Sequence, residues 1–140
     1  ILIKNNLTFD PNLQYSPDYD LFMRIAANYK ICSLSCFLAE YRKGEASLTS
    51  KMLDRIAPEM EHTLKYLSTN AKIFSEMPYN FYYAFQMLYF YKSLPLIHLG
   101  KYVIARKNIL KCIKVKKRYI LYYLLMFLPV SRTWLLKLMM

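Results

Sequence analysis

Glycine is nearly missing from this chain. Its 140 residues hold two, Gly44 and Gly100, where average usage of about 7% gives roughly ten. Neither G-x-G-x-x-G nor G-x-x-x-x-G-K-[ST] can be written with them, so no phosphate-cradling loop is encoded. Cysteine is scarce and odd in number. Cys32, Cys36 and Cys112 cannot build a disulfide framework, which points to a reduced, cytosolic setting. With only His62 and His98, no Ser-His-Asp order and no Cys-His pair presents itself. No start methionine or secretory leader opens the chain. It begins Ile-Leu-Ile, and the expectation is the C-terminal piece of a longer protein. Long apolar runs are absent too. The longest, 119–128, has ten residues, whereas a membrane-spanning helix needs about 20.

Apolar residues make up 56% of the chain and aromatics 16%, with 14 Tyr and 8 Phe. This excludes a disordered polar chain and is enough for one domain with a core. Charge is divided sharply. Residues 1–100 balance ten basic side chains against nine acidic ones, whereas 101–140 hold ten basic and none acidic; the last acid is Glu76. Such asymmetry predicts an anionic partner for the tail.

Asp10-Pro11-Asn12 is turn chemistry. Ser16 and Pro17 read as N-cap and first residue of a helix reaching Asn28, with Leu21, Phe22, Ile25 and Ala26 on one face and Asp18 and Asp20 in its first turn. Residues 30–42 are rich in strand formers and predict one or two short strands, followed by a turn at Lys43-Gly44-Glu45. Residues 50–74 predict a helix with Leu53, Ile56, Met60, Leu64 and Leu67 on a stripe, kinked or restarted at Pro58. A Tyr/Phe-rich helix over 79–97 is expected to break near Pro95. Tyr102, Ala105, Ile109 and Ile113 then oppose Lys107, Lys111 and Lys114 on a further helix, and 119–128 is apolar up to Pro129. Cys32 and Cys36 lie too far apart on a strand to share a metal, and they are expected to be buried free thiols.

Residues 7–50 carry a resemblance. Phe9-Asp10, Asp18-Tyr19-Asp20-Leu21, Arg24, Tyr41-Arg42, Ser47 and Ser50 stand in the order and spacing seen at the end of the catalytic domain of family-2 glycosyltransferases. Ala105-Arg106 and Leu128-Pro129 are similar to features behind many bacterial members. The resemblance implies a mostly α chain with a small β element: 1–50 ends a GT-A type α/β domain, and 51–140 is a helical, basic extension. It implies an inverting enzyme that moves a sugar from a nucleotide-sugar donor to an acceptor hydroxyl, in cell-surface polysaccharide or glycolipid synthesis. Asp18 takes the position of the catalytic base. A sugar hydroxyl is a poor nucleophile, and a fixed carboxylate that accepts its proton lowers the barrier. Tyr19, Asp20, Arg24 and Arg42 are the implied substrate-binding residues. The alternative for Arg24 is an i, i+4 salt bridge to Asp20, and Asp18 can equally be read as charging a helix start. A divalent Mg or Mn ion is implied, with its main ligands outside this chain. Pro17 stands where the family usually has an acid, and Gly44 where it often has a histidine.

The tail is expected to dock on an anionic membrane through Lys107, Lys111, Lys114, Lys117, Arg118 and Trp134, placing the protein in the cytoplasm on the inner face of the plasma membrane. The tyrosines of 79–91 fit either a core helix or a headgroup-level belt. Two other functions compete: a basic, aromatic-rich module for single-stranded nucleic acid, and a non-enzymatic helical protein at a membrane. The aromatics (79–91) and the cations (101–118) are poorly interleaved, so nucleic acid is not the expected partner.

Overall fold

The computed structural model describes residues 7–40, 51–128 and 131–139. Tyr41, Arg42, the turn at 43–45, Ser47, Ser50 and Pro129 lie outside these. Among the described residues there are seven α-helices and no strand. The fold is mostly α, as the sequence predicts. The strand reading fails over its described part, because residues 30–40 are irregular and exposed. Strand propensity is in practice a fit to a half-buried pleated surface, and no neighbouring strand among the described residues offers one. Cys32 and Cys36 are accordingly exposed rather than buried.

Helix α1 (Pro17–Asn28) starts and stops where its signals predict. Its inward face differs from the expected stripe. Asp20 and Leu21 are buried while Phe22 is 63% exposed, because Asp20 and Arg24 turn toward α2 (Leu53–Ser68). Pro58 neither stops nor restarts α2. It removes one N–H opposite the Asp54 carbonyl, and burial of Ile56, Ala57, Leu64 and Leu67 holds the helix on both sides. Helix α3 (Ala71–Glu76) is capped by Asn70, whose Oδ1 accepts from the Ile73 N–H at 3.3 Å.

Helix α4 (Pro78–His98) runs through Pro95 instead of breaking there. Its 21 residues span about 31 Å, and it is apolar on every side, as a central helix must be. A Schellman turn ends it. Lys101 N–H donates to the Leu96 carbonyl at 2.8 Å and Gly100 N–H to that of Ile97 at 3.0 Å, with Gly100 at φ 73°. Among the described residues this is the one place where the backbone requires glycine's left-handed freedom.

Helices α5 (Tyr102–Ile113), α6 (Tyr119–Leu125) and α7 (Arg132–Met139) follow. The main core joins Phe90, Leu94 and Ile97 of α4 to Ala105, Ile109 and Cys112 of α5, Tyr119 of α6 and Leu135 and Leu136 of α7, with Leu53 and Ile56 of α2 closing it. A smaller cluster of Leu67, Ile73 and Phe81 packs with Met23 and Ala27 of α1. The tyrosines of α4 divide: Tyr89 and Tyr91 are half-buried against the main core, Tyr83 is half-buried outside it, and Tyr79 and Tyr82 are exposed.

Candidate functional site

The backbone leading into α1 is held from α2 by one carboxylate. Glu59 accepts N–H bonds from Gln14 (3.1 Å), Tyr15 (2.9 Å) and Ser16 (2.8 Å), and the Ser16 hydroxyl donates to it at 3.2 Å. Burial raises its pKa, but the bonds from Ser16, Gln14 and Tyr15 outweigh that and leave it below the ordinary glutamate value. Ser16 is thus an N-cap by position only, since its side chain serves Glu59 rather than its own helix.

The two carboxylates that open α1 separate in role. Asp18 is exposed, and its Oδ1 accepts the Tyr19 N–H at 2.8 Å. Asp20 is 3% exposed. Its Oδ2 pairs with Arg24 at 2.8 Å and its Oδ1 accepts the Thr63 hydroxyl at 2.9 Å. Arg24 also donates to the Thr8 carbonyl at 2.6 Å, tying the strip before the turn to the helix. Asp20 and Arg24 therefore carry the i, i+4 salt bridge that the spacing allows. Tyr19 is half-buried; burial, then the neighbouring Tyr91, raises its hydroxyl pKa. Arg42 lies outside the described residues.

Beside this pair is an open cleft of about 220 Å³. Phe9 and Tyr66 supply aromatic walls, each 60% exposed, and Asp10, Arg24 and His62 supply polar groups. Asp10 Oδ1 accepts the Asn12 N–H at 2.9 Å, closing the turn, and this bond foremost keeps its carboxyl below the ordinary value. Asp10 Oδ2 lies 3.4 Å from His62 Nε2. Aromatic faces beside charged hydrogen-bonding groups suit a hydroxylated ring. Asp18 does not line this cleft. A second hollow, apolar and about 150 Å³, lies where Met23, Leu67 and Phe81 meet.

Glu59 and Thr63 are neighbours of the α1 start that sequence reading missed, and His62 was not placed beside Asp10. The available signal was polar residues on the buried stripe of α2: Glu59 sits three residues after Ile56, and Thr63 seven. Among the described residues no three His, Cys, Asp or Glu side chains gather as a metal site.

On the tail, Lys107, Lys111, Lys114, Lys117 and Arg118 are exposed and Trp134 is 49% exposed. Lys111 Nζ stands 4.1 Å from the Tyr89 ring centroid. Arg106 lies 4.0 Å over Phe127 and donates to the Met126 carbonyl at 3.3 Å, fixing the end of α6. The apolar run divides. Tyr119 is fully buried against Phe90 with ring centroids 5.0 Å apart, while Leu121, Leu124 and Phe127 stay more than half exposed. No helix among the described residues is long and apolar enough to cross a membrane. Compared with known proteins, the chain matches no family model, no curated protein and no solved structure.

Proposed function

We propose that this chain is the C-terminal part of an inverting family-2 glycosyltransferase of GT-A type, which takes a sugar from a nucleotide-sugar donor and transfers it to an acceptor hydroxyl. One observation carries the reading. Asp18 presents an exposed carboxylate at a helix start whose preceding backbone is fixed by Glu59 and whose next turn is fixed by Asp20, Arg24 and Thr63. A general base needs that combination of access and rigidity. In the reaction Asp18 accepts the acceptor hydroxyl's proton as its oxygen attacks the sugar carbon. Asp20 keeps α1 in register, and the Phe9–Tyr66 cleft holds a sugar ring. A divalent ion, when bound by residues elsewhere in the enzyme, would neutralise the leaving diphosphate. Labelled-sugar transfer by the complete enzyme with and without Asp18→Asn tests the assignment.

The same proposal puts the protein on an anionic membrane surface, peripheral to the cytoplasmic face. Exposed Leu121, Leu124 and Phe127 on a segment with ten cations and no acid support this. The nucleic-acid reading is weaker, because Lys111 and Lys116 lie over the rings of Tyr89 and Tyr83, faces that base stacking would need free.

A further inference from the structure

The open cleft beside α1 carries an unbalanced charge. Its arginine is committed internally: Arg24 donates from Nε to Asp20 Oδ2 at 2.8 Å and from Nη2 to the Thr8 carbonyl at 2.6 Å. Guanidinium and Asp20 carboxylate therefore cancel. Asp10 is held differently. Its Oδ1 accepts the Asn12 N–H at 2.9 Å and the Asn12 side-chain amide at 3.0 Å, uncharged donors that stabilise the carboxylate without neutralising it. The backbone bond foremost keeps this carboxyl below its ordinary value, so it is charged near neutrality. The other oxygen, Oδ2, lies 3.4 Å from His62 Nε2, longer than an ordinary N–H···O bond of about 2.7–3.2 Å. His62 and Tyr66 stand four residues apart on α2, on one face. Tyr66 and Phe9 wall the same cleft, each with more than half of its surface open.

We infer that this cleft selects a hexosamine whose amine is free, its ammonium seated between Asp10 Oδ2 and His62 Nε2 and its ring against Phe9 and Tyr66. With its proton on Nδ1, neutral His62 presents a lone pair at Nε2. Two acceptors then face the cleft 3.4 Å apart. A sugar hydroxyl has a single hydrogen and serves one of them. An ammonium has three and serves both, with a charge-assisted bond to Asp10. An N-acetyl group carries one N–H and no charge. The aromatic faces add attraction for a cation. A carboxylate- or phosphate-bearing sugar meets the charge of Asp10 and finds Arg24 already paired. The inference rests on the proposal that this cleft holds a sugar ring and names the sugar; it draws on neither Asp18 nor transfer.

Ligand-observed NMR titration of the whole chain near neutral pH compares glucosamine, N-acetylglucosamine and glucose. The charge-assisted bond predicts that glucosamine binds about tenfold more tightly than either neutral sugar. Asp10→Asn keeps an oxygen for the Asn12 N–H and removes the charge. It should erase the preference and change glucose binding by less than about twofold. His62→Phe, at an exposed side chain, removes the second acceptor and should cut the preference several-fold. Glu61→Gln is the control of equal charge: Lys65 and Lys92 hold that carboxylate at 3.0 and 2.7 Å, and it does not line the cleft. It should leave the preference intact. Equal binding of all the sugars overturns the inference and leaves the sugar-ring reading standing, whereas binding of none overturns both. A preference that survives Asp10→Asn, or that Glu61→Gln reduces as much, also overturns it. Should Asp10→Asn misfold by circular dichroism, His62→Phe decides alone, and an unchanged preference there overturns the inference.

Discussion

Glu59 holds Ser16 by two bonds, to its N–H at 2.8 Å and its hydroxyl at 3.2 Å, across 43 positions of the chain. Together with the bonds to Gln14 and Tyr15, this fixes where α1 begins and so where Asp18 stands.

Replacing Glu59 with Gln should therefore lower unfolding free energy by about 1.5–3 kcal/mol, the scale of hydrogen bonds to a charged group. The effect has a pH signature. Glu59 titrates below its ordinary value of 4.5, so its contribution is complete above that value and is lost as pH falls through the folded-state pKa. Urea unfolding at a series of pH values should show the wild type converging on Glu59→Gln toward acid. A gap that persists or widens in acid would contradict this.

The apolar run 119–128 should divide energetically as it does structurally. Tyr119→Ala removes a fully buried aromatic and should cost about 3–5 kcal/mol. Leu124→Ala, at a side chain 54% exposed, should stay within about 0.5 kcal/mol. Thermal or chemical denaturation of the two variants measures both. Comparable losses would mean that the exposed half of α6 is packed.

Thiol labelling reads the exposure of the 30–40 segment. Cys32 and Cys36 should react with a disulfide reagent at once, and Cys112 only on unfolding. Burial pushes the Cys112 thiol up to about 11, and its Sγ lies 3.3 Å from the Gln86 carbonyl. Three fast thiols, or one, would refute the arrangement.

Much of the helical frame was legible, because it rests on local chemistry. Ser16-Pro17 started α1, Gly100 ended α4, and the 3.6-residue stripe over Leu53, Ile56, Leu64 and Leu67 is the buried face of α2. The misses have a common cause in tertiary packing. Pro58 read as a kink or restart and Pro95 as a break, yet α2 does not restart and α4 does not break, each proline lying between buried neighbours. Residues 30–40 have strand-forming side chains but nothing described to pair with. At the candidate site, the resemblance pointed to Asp18, Asp20 and Arg24, and the i, i+4 spacing to the Asp20–Arg24 pair. Glu59 and Thr63 were not singled out, because their partners lie more than forty residues away.

The tail should hold anionic vesicles through two separable contributions. Salt should weaken co-sedimentation by screening Lys107, Lys111, Lys114 and Lys117 without abolishing it. Leu121→Asp with Leu124→Asp should leave only a salt-sensitive remnant. Neutral vesicles bound as well as anionic ones would contradict the electrostatic half, and no binding to either would contradict the whole.

The most direct test of the central claim compares Asp18→Asn with Asp20→Asn in the full-length protein that the glycosyltransferase proposal implies. Loss of a general base predicts that Asp18→Asn lowers kcat by about 10²–10⁴-fold, with thermal stability and donor binding unchanged. Asp20→Asn, which removes the charged pair with Arg24 and leaves at most the Thr63 bond, should instead lower stability. An Asp18→Asn enzyme that turns over at the wild-type rate would contradict the account.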